Sequence, residues 1–222
     1  MKSLSQLPTK NNQHLFYLYQ ENFYKKLSRC SKLRIDFCKN KTILDVGCGE
    51  GIDDIRFSKF AKKVVGIDIE EFPSWKTFQS NKIVFKKANA EKLPFKSNTF
   101  DIVFSKDMLH HTPNPQKALR EIKRIVKKNG VVIILEGNRY NPISFIHMTK
   151  LKGHEHFPQK LFRKMILGNF LNAKFYTFES HFIPFFGSIF LSLIFKFEDT
   201  FEKIPFVSSI HSYNIAVIKK TT

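Results

Sequence analysis

Three glycines at every second position interrupt the run ILDVGCGEGIDD: Gly47, Gly49 and Gly51. Glycine lets a backbone turn tightly and lets a ligand approach without a Cβ in the way. The spacing is G-x-G-x-G, and Ile52 takes the place of the last glycine in the G-x-G-x-x-G of dinucleotide binding. The acids around this loop are Asp45, Glu50, Asp53 and Asp54. Because acids at a helix start repel a pyrophosphate, the loop favours a ligand with an amino group and a positively charged centre.

Another acid, Asp68, ends the apolar run of VVGIDIEE, 17 residues after Gly51. A carboxylate at such a strand end accepts hydrogen bonds from the two hydroxyls of a ribose. Dinucleotides and other nucleoside cofactors both need that contact, so Asp68 does not distinguish between them. The alternative roles are structural: Asp68 pairs with a surface lysine, and Asp45 caps the helix that follows the glycines.

Two groups of histidines could transfer protons. His110 and His111 are adjacent, and His154-Glu155-His156 follows later in the chain. Histidine has a pKa suited to proton transfer near neutrality, so His111, His154 and His156 are the candidate catalytic bases. The alternative for the pair at 110–111 is a structural role. Two histidines at i and i+2 match neither H-E-x-x-H nor a structural zinc pattern, so we predict no metal site.

The elements that must position these residues alternate between strand and helix. Helical patterns separate the Val- and Ile-rich runs TILDV, KVVGID, KIVFKK, DIVFS and VVIILE. This alternation predicts a parallel sheet with helices on both faces. In open sheets of this kind, ligands bind outside the carboxyl ends of the strands, where the glycine loop and Asp68 would lie together.

Two helices have clear patterns. Apolar residues at spacings of three and four predict a helix with one buried face, formed by Leu15, Leu18, Tyr19, Phe23, Leu27 and Cys30. Asn114 and Pro115 predict the start of another helix, and Asn129-Gly130 predicts its end. The expected buried stripe of this second helix is Leu119, Ile122, Ile125 and Val126.

The last part of the chain is rich in phenylalanine, with 14 of the 25 in residues 141–222. The run FIPFFGSIFLSLIF, residues 182–195, is broken by Pro184 and Gly187 and is too short to cross a bilayer as a helix. It fits a buried helix, an interfacial segment or the wall of an apolar pocket. TFESHF and YNIAVIKK predict two final strands around it. Pro158 predicts a helix start before the apolar positions Leu161, Phe162, Met165 and Ile166.

The composition is that of a globular protein, with 42% hydrophobic and 25% charged residues. The net charge is +18. The excess of basic residues is spread along the chain and is densest in the first 40 residues, which contain eight basic and two acidic residues. This pattern favours a solvated basic surface over a nucleic-acid site.

The start MKSLSQLPTKNNQ is polar, so we expect a cytoplasmic protein, with peripheral membrane contact as an alternative. Three cysteines without a C-x-x-C pair predict reduced, structural thiols.

The ordered motifs resemble the class I S-adenosylmethionine (SAM) dependent methyltransferases of the type 11-like kind. ILDVGCGEG resembles that family's first motif and VVGIDI its second, and the run from ANAEKLPF to VVIILE resembles its fourth and fifth strands. The resemblance covers residues 41–140. It implies a Rossmann-like, doubly wound α/β fold with a mostly parallel seven-stranded sheet and a helical, Phe-rich C-terminal insertion. It also divides the chain into an N-terminal helical segment (1–40), a SAM-binding core (41–140), and substrate-side helices, insertion and last strands of the same domain (141–222).

The resemblance implies roles for individual residues. The residues expected along the methionine part of SAM are Asp45, Gly47, Gly49 and Gly51. Asp68, followed by Ile69, would bind the ribose. Asn89, Ala90 and Glu91 would lie beside the adenine, and Ser105 near the end of the fourth strand. The family often has Asp at the position of Asn89, and an amide oxygen can still pair with the adenine amino group; as a plain turn residue, Asn89 would have no such role.

The sequence leaves the methyl acceptor open. An apolar insertion near the cofactor favours a small-molecule, lipid-linked or glycan-type acceptor, with the insertion as a lid or a membrane-surface foot. Core packing and a dimer interface are the alternatives for that insertion. The alternative functions are an RNA (tRNA or rRNA) methyltransferase, which the charge suggests, and a non-catalytic SAM-binding subunit of a partner. A nicotinamide oxidoreductase is disfavoured by the glycine spacing.

Overall fold

The computed structural model describes residues 13–33, 35–78, 80–146, 153, 155–181 and 188–221. The strands are β1 (Thr42–Val46), β2 (Lys63–Asp68), β3 (Ile83–Lys87), β4 (Phe100–Lys106), β5 (Val126–Gly137), β6 (Lys174–Phe178) and β7 (Tyr213–Lys219). The helices are α1 (Gln13–Ser31), α2 (Ile52–Ser58), α3 (Pro115–Ile125), α4 (Pro142–Ser144), α5 (Gln159–Leu167) and α6 (Ser188–Phe201). His154 and residues 182–187 of the Phe-rich run lie outside the described residues.

One seven-stranded sheet forms the centre, in the order β3-β2-β1-β4-β5-β7-β6. β3, β2, β1, β4 and β5 run parallel, and β7 is antiparallel to both β5 and β6. The predicted doubly wound, mostly parallel α/β fold is therefore confirmed. The two final strands predicted from TFESHF and YNIAVIKK are the antiparallel pair β6 and β7.

Helices cover both faces of the sheet because the strand residues alternate. Leu44 and Val46 of β1 join a core with Leu119 of α3 and Phe162 of α5. Ile43, on the opposite face, joins a second core with residues of α1 and α2. A strand that is buried on both faces must be apolar at nearly every position, which explains why the runs read as continuous Val and Ile stretches.

Helix α3 begins as predicted and ends earlier than predicted. The Asn114 side chain accepts a hydrogen bond from the Lys117 N–H at 3.0 Å, and Pro115 is the first helical residue. The expected end at Asn129-Gly130 is wrong, because the helix ends at Ile125 and Val126 already pairs with Phe100 of β4. Asn129 instead takes a left-handed conformation, with φ of 61°, where the register of β5 shifts against β4.

In two other helices, fewer of the predicted apolar residues are buried than the sequence pattern suggested. In α1, Tyr19, Phe23 and Leu27 are buried, whereas Leu15, Leu18 and Cys30 are half-buried. In α5, Phe162, Met165 and Ile166 are buried, but Leu161 is 49% exposed. Among the described residues, no helix is both long and apolar enough to cross a bilayer. All three cysteines are free.

The direction of β6 places the connection to α6 at the edge of the sheet where the parallel strands end. Tyr213, which begins β7, pairs with both Gly137 at the end of β5 and Phe178 at the end of β6. β6 therefore ends at the same edge as the parallel strands. The connection that contains α6 therefore leaves the sheet at the same edge as the glycine loop after β1, although three strands lie between β6 and β1.

Candidate functional site

The glycine loop has a backbone that only glycine adopts readily. Gly47, Gly49 and Gly51 have φ angles of 79°, 51° and 81°. A Cβ on Gly47 would collide with the Met108 side chain, and one on Gly51 with the Phe85 ring. The predicted loop is therefore a tight left-handed turn between β1 and α2, with Gly51 at the helix N-cap position.

Asp68 joins this loop to the end of β2. Its Oδ2 accepts a hydrogen bond from the Gly49 N–H at 2.9 Å, and its Oδ1 accepts one from the Glu70 N–H at 3.2 Å. Trp75, which the sequence reasoning missed, closes the other side of the loop. Its indole N–H donates to the Gly49 carbonyl at 2.7 Å, and its ring stacks on Phe85. The Asp68 carboxylate keeps further lone pairs, and the side chain is only partly buried.

The three residues expected beside the adenine form a turn after β3. Asn89 Oδ1 accepts from the Glu91 N–H at 2.8 Å, and Glu91 Oε1 accepts from the Asn114 N–H at 2.8 Å. Ala90 packs partly against the core. Asn89 is exposed, and so is Ile69 after Asp68. The ends of β2 and β3 therefore present the Asn89 amide, the Ile69 side chain and the Asp68 carboxylate.

The acids around the glycine loop, Asp45, Glu50, Asp53 and Asp54, are buried. Asp53 accepts hydrogen bonds from the Tyr24 hydroxyl at 2.6 Å and from Lys106 Nζ at 2.7 Å. Glu50 is buried and accepts a hydrogen bond from the Ser74 hydroxyl. Although burial acts to lower it, the pKa of Lys106 is held above its usual value by the Asp53 carboxylate. These acids stabilise the packing of α1 and α2 at the loop.

Two site residues expected from the resemblance, Asp45 and Ser105, are buried, and so is Asp54 beside Asp45. Burial raises the pKa of Asp45 well above its usual value, and the neighbouring carboxyls Asp54 and Asp53 raise it further. Burial also raises the pKa of Asp54 to about 8, and Asp53 adds to the shift. Two neighbouring buried carboxyls favour sharing a proton. Ser105 is fully buried in β4. Cofactor contacts by Asp45 and Ser105 remain predictions.

A histidine cluster lies beyond the ends of β4 and β5. His110 Nδ1 is 2.7 Å from Glu136 Oε2, and the Leu109 N–H donates to Glu136 Oε1 at 2.6 Å. The His110 ring contacts the rings of His111 and His156, with centroids 4.0 Å and 4.2 Å away. His156 is buried, whereas His111 is exposed. The structure thus brings together two candidate bases, His111 and His156, that lie far apart in the sequence.

The cluster also contains metal-ligand types. One donor atom each from His110, Glu136 and His156 lies within 4.8 Å of the others. Both Glu136 oxygens are already engaged, one by the Leu109 N–H and one by His110. Hydrogen bonding accounts for the carboxylate without an ion, and the absence of a metal stays a prediction.

The comparisons with known proteins identify the family. A family model described as a methyltransferase domain matches residues 44–134. A ubiquinone biosynthesis O-methyltransferase of Pseudomonas paraeruginosa (strain DSM 24068 / PA7) is 31% identical over 172 residues, which cover 69% of this chain and 73% of that protein. The chain belongs to the class I SAM-dependent methyltransferases. The cofactor of this family is SAM.

This methyltransferase has further relatives that it matches over shorter stretches. It is 30% identical over 112 residues to the sterol 4-C-methyltransferase strm-1 of Caenorhabditis elegans, covering 46% of this chain and 33% of that protein. The chain spans about half or less of the length of several relatives. For an uncharacterized methyltransferase of Schizosaccharomyces pombe, the match covers 49% of that protein. A solved structure of Haemonchus contortus phosphoethanolamine N-methyltransferase 2 in complex with S-adenosyl-L-methionine matches with a TM-score of 0.62 at 17% identity, covering 92% of this chain and 53% of that one. That likeness concerns the fold.

The exposed groups of the methyltransferase fit SAM in their chemistry. The Asp68 carboxylate can accept from a ribose diol, and Ile69 offers an apolar side chain to a base. The Asn89 oxygen is engaged by Glu91 N–H and keeps a second lone pair, while its amide N–H groups remain donors. The residue roles on this edge remain predictions.

Sequence reasoning missed Glu136 and preferred His111 to His110. The signal for Glu136 was its position: it ends the apolar run VVIILE, just as Asp68 ends VVGID. The contact with His110 carried no sequence signal, because the two residues lie 26 positions apart. Lys106 carried none either, because its partner Asp53 precedes it by 53 residues.

Proposed function

We propose that this methyltransferase transfers a methyl group from SAM to a hydroxyl group of a small apolar molecule, and that His111 accepts the hydroxyl proton. One observation carries the proposal: an exposed histidine lies against a buried His110–Glu136 pair beyond the carboxyl ends of β4 and β5. A hydroxyl is a poor nucleophile until it loses its proton. A positioned histidine therefore has a use in hydroxyl methylation that it lacks for an acceptor with a free lone pair.

The donor half of the reaction depends on the glycine loop and Asp68. When bound, SAM supplies a methyl group that its sulfonium has already activated. The loop of Gly47, Gly49 and Gly51 would hold the methionine end, and Asp68 would hold the ribose. Alignment of the acceptor with the donor can supply ~7–11 kcal/mol of barrier reduction, so positioning is the main task of the chain.

The acceptor half needs a base that is neutral at physiological pH. Burial lowers the pKa of His111, and the neighbouring His110 lowers it further. A histidine with a lowered pKa is unprotonated at neutral pH and ready to accept a proton. His110, Glu136 and His156 lie behind it and would fix its orientation, which makes them positioning residues.

The apolar acceptor has separate support. The ubiquinone and sterol enzymes among the relatives are named for small-molecule substrates. Large apolar side chains are exposed after β5, including Tyr140, Ile143 and Ile146. A surface of this kind favours an apolar acceptor over a nucleic acid. In this proposal, residues 41–140 bind the cofactor, residues 141–222 recognise the acceptor, and residues 1–40 are the N-terminal helical segment that precedes them.

The test is a labelling experiment with the purified full chain. Methyl-labelled SAM and a desalted, heat-treated cell extract are incubated with the wild type, with Asp68→Ala, and with Glu71→Ala as the matched control. Glu71 is exposed and three residues away from Asp68. With SAM kept well below saturation, we expect label in the lipid or small-molecule fraction with the wild type and the control, and much less with Asp68→Ala.

Other outcomes would replace the proposal. Label in RNA would identify a tRNA or rRNA methyltransferase and give the +18 charge a role in binding. Binding of SAM without label in any fraction would favour the non-catalytic partner subunit. Label in a fraction that is unchanged in the Asp68→Ala variant would mean that a contaminant, and not this chain, carries the activity.

A further inference from the structure

We propose that the outward face of α6 is a docking surface for an anionic lipid membrane. Helix α6 lies between β6 and β7 at the cofactor edge of the sheet. The proposal goes beyond the methyl-transfer reaction and does not depend on which acceptor is methylated. It rests on how the side chains of α6 are distributed: Glu198 is buried against the protein, whereas several large apolar side chains are exposed.

The inward face of α6 is held by buried charges. Lys26 of α1 is buried, and its Nζ lies 2.9 Å from Glu198 and 3.1 Å from Glu202. The same Nζ donates to the Glu179 carbonyl at 2.7 Å. Leu191 is the buried apolar residue on this side. The helix thus turns Glu198 inward, into an ion pair with Lys26, which also binds the backbone just after β6.

The outward face of α6 is apolar. Ile189, Leu193 and Phe197, spaced four residues apart, are 82%, 56% and 64% exposed. Phe190 lies beside them, and Phe206, just beyond the helix, is 96% exposed. An amphipathic helix on a water-soluble protein normally turns such residues inward and its acids outward. An exposed apolar face on a helix whose Glu198 is buried indicates that something other than water covers that face.

The charges on this side of the molecule select an anionic partner. Lys196 and Lys203 are exposed on and just after the helix. Asp199 and Glu202 are neutralised as well, because Arg29 is 3.2 Å from Asp199 and 2.6 Å from Glu202. An apolar face flanked by lysines is the pattern of helices that lie in the interface of an anionic bilayer. A second copy of the chain is a poorer occupant, because two molecules of charge +18 repel each other.

Docking through α6 would also orient the cofactor edge. The β6–β7 connection leaves the sheet at the end where β5 finishes and the histidine cluster lies. Asn138, directly after β5, donates to the carbonyls of Ser209 and His211 in that connection, both at 2.9 Å. A membrane against α6 would therefore face the edge where an acceptor must enter.

The experiment is vesicle co-sedimentation with the purified full chain. The probes are vesicles of phosphatidylcholine alone and of phosphatidylcholine with phosphatidylglycerol. The test variant is Leu193→Ser/Phe197→Ser. The matched control is Leu171→Ser, because Leu171 is 89% exposed and lies after α5, away from α6. Thermal unfolding and SAM binding of each variant show whether it has folded.

We expect the wild type and the control to bind the phosphatidylglycerol vesicles, with less binding to phosphatidylcholine and at high salt. The double variant should partition about tenfold or more weakly, since two large apolar side chains no longer leave water. Equal binding by the folded double variant would overturn the proposal. Failure of the wild type to bind at low salt would do the same, as would a dimer in light scattering that the double variant abolishes. None of these outcomes bears on the labelling experiment, which detects methyl transfer.

Discussion

His110 and Glu136 form a buried pair, with Nδ1 of the imidazole 2.7 Å from Oε2 of the carboxyl. The contact joins the segment after β4 to the end of strand β5. Burial lowers the pKa of His110, and burial together with Asp107 raises that of Glu136 to about 8. Both shifts favour uncharged groups, so the pair holds one proton between the two side chains and fixes the ring orientation next to His111.

The carboxyl of this pair predicts a change in the pH dependence of methyl transfer. Glu136→Gln keeps the shape but cannot release a proton, so the ionisation that burial and Asp107 move to about pH 8 is removed. We expect kcat of the wild type to change as Glu136 ionises near pH 8, and the variant to lack that step while KM for SAM is unchanged. The measurement is the pH–rate profile of wild type and variant. A lower kcat with the step near pH 8 still present in the variant would indicate a merely structural role.

His111 predicts a loss of catalysis without a loss of cofactor binding. Its pKa is lowered from 6.5, so the histidine becomes neutral, and the rate rises, as the pH passes through a midpoint below 6.5. His111→Gln should lower kcat by roughly a hundredfold or more, the usual range for a positioned base. His14→Gln, at an exposed position in α1, is the control. A variant with wild-type kcat would remove His111 from the mechanism.

Asp68 predicts a loss of SAM affinity. A hydrogen bond to a charged group contributes about 1.5–3 kcal/mol, so Asp68→Ala should weaken SAM binding by roughly tenfold to a hundredfold. The Gly49 N–H also loses its acceptor, which loosens the glycine loop. Titration calorimetry measures the effect against Glu71→Ala. Equal affinities for the two variants would place the ribose elsewhere.

Asp54 predicts a pH-dependent stability. Its pKa is raised from 3.8 to about 8 by burial and by Asp53, so the folded state holds a proton that the unfolded chain has lost between these values. The free energy of unfolding therefore falls as the pH rises from about 4 to about 8. Asp54→Asn carries no charge and should be ~1–3 kcal/mol more stable than the wild type at pH 8. Urea unfolding at pH 5 and pH 8 tests this; parallel loss of stability in both proteins would contradict it.

The buried Lys26 predicts a large cost for breaking the α1–α6 network. Lys26→Met leaves Glu198 without its partner in a buried site, which typically costs about 3–5 kcal/mol. Lys25→Met, at the exposed neighbouring position, is the control and should change little. The measurement is urea unfolding of both variants. A restored stability in Lys26→Met/Glu198→Leu would show that the loss came from the unpaired charge.

The strand runs, the two final strands and the glycine loop could be predicted from the sequence because their signals are local. Apolar runs predict buried strands, and a left-handed turn at a strand end requires glycine wherever the fold places it. Asn114 and Pro115 marked the start of α3 for the same reason. The end of α3 was predicted wrongly, because the pairing of Val126 with Phe100 in the sheet outweighs the Asn129-Gly130 signal.

The sequence by itself determined the fold class and the family, because these follow from residues close together in the chain. Only the tertiary structure decided which acids remain open to a ligand, since partners such as Lys106 for Asp53 come from distant elements. It also decided that His111 and His156 share one cluster with His110 and Glu136, and that α6 turns Glu198 inward and Phe197 outward. The physical reason is that a side chain's charge state and exposure depend on what packs against it, and that packing is set by residues far away in sequence.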